Sequence, residues 1–317
     1  MSKSVNLMVV SNEEYAVHAC TCIYSALKNT SGAIKIYLID DGISREKWKV
    51  IKSICEKRSA KMKKIEFEKN IDSFARESKH LAKSAYIRLF ITDLIPSKEK
   101  RVIYLDADMI VESDLRTLWN VSLEGNSTAA VQDFGIPQIG ARGGVEHASE
   151  LGLDYSEDYF NSGLMLINLE RWREKGIGSK AIDYLKRYDE DVSWADQEAL
   201  NVVLAGDWLS LNRRWNVPPF ILNMDYWEYL EQMGEAEEKE TSVPVPPAVI
   251  HFAGVHKPWK FGADVVWQDR YFHYLRDSGW FDSEMDWLWW RARSALRYGK
   301  ERLGDLHRET KKRLGSG

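Results

Sequence analysis

Alternation is the feature that most constrains this chain. Across the first 110 residues, short apolar runs of strand character take turns with helically periodic segments: Leu7 to Val10, then a helix with Tyr15, Ala19, Cys22, Ile23, Ala26 and Leu27 on one face. Ile34 to Ile39 follows, then a helix opening at Ser44 as N-cap and running through Trp48, Ile51 and Ile54, then a short strand near Ile65 to Phe67. A helix around Ser84 to Leu94 stops before Pro96, and Val102 to Leu105 is an apolar run suited to a strand buried on both faces. The order is βαβαβ, and the economical architecture is α/β: a mostly parallel central sheet covered on both sides by helices. Further strands are expected at Ala129 to Gln132, Leu164 to Asn168, Trp208 to Leu211 and Val249 to Phe252, with helices near Ile177 to Tyr188 and Asp196 to Leu204.

Composition then removes whole classes. No run of about 18 apolar residues occurs, so no bilayer-spanning helix is expected. The start, MSKSVNLMVVSNEEY, lacks the long apolar core and cleavage site of a signal peptide, which makes a cytoplasmic chain the expectation. Cys20, Cys22 and Cys55 are too few for a disulfide framework or a zinc cluster, and on a helix Cys20 and Cys22 point about 200° apart, as packing thiols. With 44 basic and 48 acidic residues the formal charge is −4, which argues against nucleic acid as a partner. Residues 231 to 247, EQMGEAEEKETSVPVPP, set an acidic run before three prolines and read as an exposed loop.

The Gly-rich phosphate cradles are missing: there is no GxxxxGK[ST], and VVSNEEY stands where a GxGxxG would follow the first strand. A sheet of this kind that binds a nucleotide must then hold the diphosphate another way, commonly through a divalent metal on carboxylates. Asp106 and Asp108 sit two apart at the carboxyl end of the most apolar strand, and in extended chain such side chains face the same way. Ligands of open α/β sheets collect beyond those strand ends. The plain alternative is an acidic turn. Other polar residues point to the same rim: Asp133 closes TAAVQD, Asn161 stands at the mouth of LMLINL, Asp196 is placed as N-cap of the helix at WADQE, and His251 to Trp259 follows the last strand.

YLDADMIV, YFNSGLMLINLERWR, WADQEALN and HFAGVHKPW, in this order, resemble glycosyltransferase family 8, the retaining GT-A-fold transferases that use UDP-sugars, and in particular its bacterial lipopolysaccharide galactosyl- and glucosyltransferases. SNEEY, DDGIS at 40 to 44 and SAYIRLF at 84 to 90 extend the likeness over about residues 5 to 262. The resemblance implies a GT-A domain over residues 1–282 that moves a hexose, glucose or galactose, from a UDP-sugar to a glycan, glycolipid or glycoprotein. It makes Asp106, Asp108 and His251 ligands of Mn²⁺, a choice consistent with an imidazole among hard oxygen ligands. Lys257 would reach the diphosphate, with Ala107 and Gly254 offering backbone to the donor and Asn12 and Tyr15 the uracil and ribose. One member of the family differs there, carrying an acidic residue at the position of Asn12 and Asn at that of Glu14. Arg88, Asp133, Asn161, Asp196 and Gln197 match the positions that hold the donor sugar, with Gln197 beside the anomeric carbon and Asp196 and Asp133 counted with it as catalytic. The bland readings of Arg88 and Asp196 are a surface ion pair and a helix cap.

The tail from Asp286 to Gly317 spaces Leu288, Ala292, Ala295, Leu303, Leu306 and Leu314 at helical steps. Residues 287 to 317 hold nine Lys/Arg and three Asp/Glu, which leaves −10 on the rest. Residues 283–317 therefore read as a basic amphipathic tail entered by Trp287, Trp289 and Trp290, suited to an anionic membrane surface on the cytoplasmic side or to packing on protein. Two competing functions stay open on sequence alone: a sugar-nucleotide pyrophosphorylase, and a catalytically silent carbohydrate-binding protein of the same fold.

Overall fold

The computed structural model describes residues 4–72, 74, 83–188, 192, 194–222, 246–260, 263, 265–294 and 296. The alternation of the sequence becomes β1 (Val5–Asn12), α1 (Ala16–Asn29), β2 (Ile34–Asp41), α2 (Arg45–Lys57) and β3 (Lys61–Glu66). After a 3₁₀ segment, Lys83–Phe90, come α3 (Ile91–Leu94), β4 (Arg101–Leu105), β5 (Met109–Val111), α4 (Leu115–Trp119), β6 (Thr128–Gln132) and β7 (Phe160–Asn168). The rest is α5 (Leu169–Lys175), α6 (Ile177–Tyr188), α7 (Ala195–Val203), β8 (Trp208–Ser210), β9 (Val249–His251) and α8 (Gln268–Asp277).

Seven strands form one sheet in the order β3-β2-β1-β4-β7-β6-β8. β1 runs parallel to β2 and β4, β2 to β3 and β6 to β8, while β7 is antiparallel to both its neighbours. Side-chain alternation splits each central strand between two cores. Leu7, Val9, Ile36, Leu38, Ile103, Leu105 and Leu164 join α1 and α2 on one face. Met8, Val10, Tyr37, Ile39, Val102, Tyr104 and Met165 join α5, α6 and α7 on the other. Each side chain so buried contributes about 1.5–3 kcal/mol, which is why a sheet covered twice reads as continuous apolar runs. All three cysteines lie in the first core, and burial pushes the Cys55 thiol up to about 12, as expected of packing residues.

Three local expectations are corrected. The helix foreseen from Ser84 is a tight 3₁₀ segment up to Phe90, because Tyr86, Ile87, Arg88 and Leu89 are all buried, and four consecutive inward residues do not fit one face of an α-helix. Asp106 to Asp108 is a turn between β4 and β5, not extended chain. Met109–Val111, after that turn, is a separate strand pairing β9 antiparallel, with Met109 opposite His251. Asp196 does not cap α7: the N-cap is Trp194, without a side-chain bond, and Ala195 takes a left-handed φ of 48°.

Beyond α8, residues 284–294 are helical. Trp287 and Trp290 stack at 5.7 Å and pack on Phe281, with Trp287 also against Phe272. Of the three tryptophans foreseen at a membrane, only Trp289 is exposed, in company with Met285 and Leu288. The foreseen helix beyond residue 296 and most of the acidic loop lie outside the described residues. Among the described residues no helix is long and apolar enough to cross a membrane.

Candidate active site

The site begins where β4 ends. The Asp106 amide donates to Gly163 O at 2.8 Å, so the turn after β4 leans on β7. The β5–β9 ladder then carries His251 back to the same point. One ligand atom each from Asp106, Asp108 and His251 lies within 4.8 Å of the others. His251 Nε2 is 3.4 Å from Asp108 Oδ1 and 3.9 Å from Asp106 Oδ2. Gly163 makes the convergence possible: a Cβ there would meet His251 Cε1 at 2.5 Å and Asp106 Oδ2 at 2.9 Å.

Each ligand is aimed by a neighbour. Asp106 Oδ1 accepts from Tyr104 Oη at 2.7 Å and Arg88 Nη2 at 2.9 Å, which leaves Oδ2 turned toward His251. Arg88, nearly fully buried, also pairs with Asp196 at 2.8 Å, donates to Ser162 O at 2.8 Å and lies 4.7 Å from the Tyr104 ring centroid. It is a buried tie between Asp106 and Asp196, not a surface ion pair. Lys257 Nζ sits 2.5 Å from Asp108 Oδ2 and donates to Phe252 O at 2.7 Å. Burial opposes the ionised form of Asp108, but Lys257 and His251 outweigh it and hold the carboxyl well below the usual carboxylate range. Burial pushes Asp196 the other way, up to about 6, against the pull of Arg88 and with some help from Asp106.

Asp133, Asn161, Ser162 and Gln197, three of them expected to hold the donor sugar, form one hydrogen-bonded string. Asn161 Nδ2 donates to Asp133 Oδ2 at 2.8 Å, and Gln197 Nε2 donates to the same oxygen at 3.2 Å. Gln197 Oε1 accepts the Ser162 amide at 3.0 Å. Ala195, in the left-handed region at a cost of about 1–2 kcal/mol, turns the start of α7 so that Asp196 and Gln197 both point inward. Asp133, Asn161 and His251 line a cleft of about 210 Å³ with Phe134, Asn216, Pro218 and Phe220.

Asn12 and Tyr15, expected to meet uracil and ribose, are less tightly drawn together with the rest. Tyr15 lies edge-on to Trp259 at 6.0 Å; burial pushes its hydroxyl well up, and the nearby Asp108 charge adds to the shift. Asn12 accepts the Tyr15 amide at 2.9 Å and so shapes the turn into α1. Ala107 forms the turn between the two carboxylates, and Gly254, with φ of 75°, reverses the chain after β9 so that Lys257 returns to Asp108. Sequence reading missed Tyr104, a hydroxyl inside an apolar run, and Asn216, which lies in no recognisable motif.

The donor set suits a divalent cation. Two carboxylate oxygens and an imidazole nitrogen face one point, and the four aspartates of the site exceed Arg88 and Lys257 by two negative charges.

Residues 6–263 match the profile described as Glycosyl transferase family 8. General stress protein A of Bacillus subtilis (strain 168) is 32% identical over 281 residues, covering 87% of this chain and 94% of that protein. The lipopolysaccharide 1,2-glucosyltransferase of Escherichia coli (strain K12) is 28% identical over 201 residues, 63% of this chain and 56% of the other. Among solved structures, the galactosyltransferase LgtC in complex with donor and acceptor sugar analogs superposes with a TM-score of 0.72 at 22% identity, over 86% of this chain and 96% of that one. That likeness establishes the GT-A fold. On the match across most of its length, this chain is a member of glycosyltransferase family 8.

Proposed function

We propose that this family 8 transferase moves glucose or galactose from a UDP-sugar to a glycan, glycolipid or glycoprotein acceptor, with retention of configuration and dependence on Mn²⁺. The observation that carries the reading is the convergence of Asp106, Asp108 and His251 beside Lys257, continuous through Arg88 with Asp133, Asn161, Asp196 and Gln197. The name of the E. coli relative, a lipopolysaccharide glucosyltransferase, supports a hexose donor and a glycolipid acceptor.

Asp106 Oδ2, Asp108 and His251 Nε2 would hold the ion, and a bound Mn²⁺ would supply positive charge against the diphosphate as UDP departs. Lys257 is placed to turn from Asp108 to the leaving phosphate. Arg88, Asp133, Asn161 and Asp196 offer bidentate partners to sugar hydroxyls. Gln197 is held at both ends of its carboxamide, by Ser162 and Asp133, and a carboxamide is a weak nucleophile. A front-face reaction fits better than a glycosyl-enzyme: the bond from the anomeric carbon to the phosphate oxygen breaks, the acceptor oxygen bonds that carbon on the same face, the departing phosphate oxygen takes the acceptor hydroxyl proton, and the Gln197 dipole stabilises the oxocarbenium-like state.

The test is a panel of UDP-sugars with Mn²⁺, scored by slow release of UDP and, once an acceptor is found, by anomeric NMR. UDP and an α-linked product are expected from an α-linked donor. UTP formation requiring pyrophosphate would identify a pyrophosphorylase instead, and UDP binding without any release would identify a silent carbohydrate-binding protein. We also propose that the basic tail attaches the enzyme peripherally to an anionic surface, a reading supported by the charge of residues 287–317 and the exposed Met285, Leu288 and Trp289.

A further inference from the structure

We propose that Asn216 is a positioning residue for the metal site: it fixes the tautomer of His251 by carrying the hydrogen-bond polarity of Asp133 across the cleft. The inference rests on the divalent-metal reading of Asp106, Asp108 and His251.

The polarity is set at the sugar end. An ionised carboxylate only accepts, so Asn161 must turn Nδ2 toward Asp133, at 2.8 Å. Its other end is fixed independently, because Asn161 Oδ1 accepts the Gly163 amide at 3.0 Å and a backbone N–H cannot reverse. Asn161 Oδ1 is therefore an acceptor for Asn216, which offers Nδ2 at 2.8 Å. Asn216 Oδ1 then faces His251 Nδ1 at 2.9 Å. Two acceptors do not pair, so Nδ1 carries the proton. In the neutral ring this leaves the lone pair on Nε2, the nitrogen that faces Asp108 and Asp106 at 3.4 and 3.9 Å.

The backbone locks this arrangement. Val217 donates to Val249 O and accepts from His251 N, each at 3.0 Å, so Asn216 is clamped opposite His251. Asn216 is 2% exposed and His251 4%, so bulk water does not compete for the bond. Only a short carboxamide donates to Asn161 and accepts from His251 at once. Aspartate keeps the second bond but sets acceptor against acceptor at Asn161.

Two measurements test this on the full chain. Long-range ¹H–¹⁵N correlation in metal-free, ¹⁵N-histidine-labelled protein, at a pH where the ring is neutral, reads the tautomer; His251→Gln assigns the signal. The wild type should show Nδ1–H, Asn216→Leu should lose that preference, and Asn216→Asp should keep it. By calorimetry, Asn216→Leu should bind Mn²⁺ about 10–100-fold more weakly, whereas Asn216→Asp should match the wild type or exceed it while raising the donor KM. If the Leu variant does not fold, Asn216→Ala provides the same comparison. An Nε2–H ring in the wild type, or a folded Leu or Ala variant with unchanged tautomer and Mn²⁺ affinity, overturns the proposal. Failure of the metal reading looks different: the wild type takes up no Mn²⁺ and Asp108→Asn makes no difference.

Discussion

Gly163 has no room for even a methyl group, and the atoms it would strike are not free to move. His251 is tied to Asn216 and to the β5–β9 ladder, and Asp106 to Tyr104 and Arg88. Gly163→Ala should therefore cost about 1–3 kcal/mol of stability and weaken Mn²⁺ binding by about 10–100-fold, read by calorimetry; unchanged Mn²⁺ affinity would show that the three ligands do not work as one site. Gln197 hydrogen-bonds Asp133 and Ser162, and among the described residues no hydrogen bond ties its side chain to a metal ligand, so Gln197→Ala should cut kcat by about 10–1,000-fold and leave UDP affinity nearly unchanged. A loss concentrated in UDP binding would remove Gln197 from the chemical step. Asp196 sets a pH dependence. Its carboxyl is raised to about 6 in the folded chain, so between about pH 4 and 6 the native state holds a proton that the unfolded state has released. Stability from this group is thus highest below pH 4 and is lost as pH rises through 6, by about 2–3 kcal/mol in all. Denaturant titrations at pH 4.5 and 7.5 should show this loss in the wild type and not in Asp196→Asn.

Helix α6 is seated on the 3₁₀ segment through Gly178, where a Cβ would fall 2.0 Å from Leu89 O. That segment carries Arg88, so the packing of α6 on it bears on the position of the guanidinium that joins Asp106 to Asp196. Gly178→Ala should destabilise the fold by about 1–3 kcal/mol and raise the donor KM more than it lowers UDP affinity; an unchanged KM would mean that the segment adjusts independently of α6. The elements most legible in the sequence were those whose period is uninterrupted, such as Ile177–Tyr188 and the buried runs of β1, β2 and β4. The 3₁₀ segment was not, because its residues are buried by tertiary contact on several sides and no single helical face records that. β5 was hidden for a similar reason: three apolar residues after Asp108 are too few to show a period, and only the partner β9 shows that they form a strand. The candidate site was legible through residues whose chemistry stands out, such as Asp106, Asp108, Gln197 and His251. Tyr104 aims Asp106 from within an apolar run, and Asn216 reaches His251 and Asn161 across 35 and 55 positions of sequence, so neither role leaves a local pattern.

At the scale of the whole molecule, charge is divided between an acidic body and a basic C-terminal stretch, and the structure separates two contributions within that stretch. Trp287 and Trp290 belong to the body, where they cover Phe281 and Phe272, while Met285, Leu288 and Trp289 face outward. A cut at 287 therefore strips packed aromatic surface as well as charge, whereas a cut after Ser294 removes seven Lys/Arg and three Asp/Glu and leaves the stacked pair in place. Each cation near an anionic surface contributes on the order of 1 kcal/mol and is screened by salt. The shorter deletion, 295–317, should leave thermal stability and activity on a small soluble acceptor unchanged and weaken binding to vesicles containing anionic lipid. Deletion of 287–317 should in addition lower the Tm. Because Trp289, Met285 and Leu288 bind by apolar burial, salt should weaken vesicle binding of the full chain only in part. If the full chain ignores anionic vesicles, the tail serves packing on protein, and the exposed face of residues 284–294 has no lipid to meet.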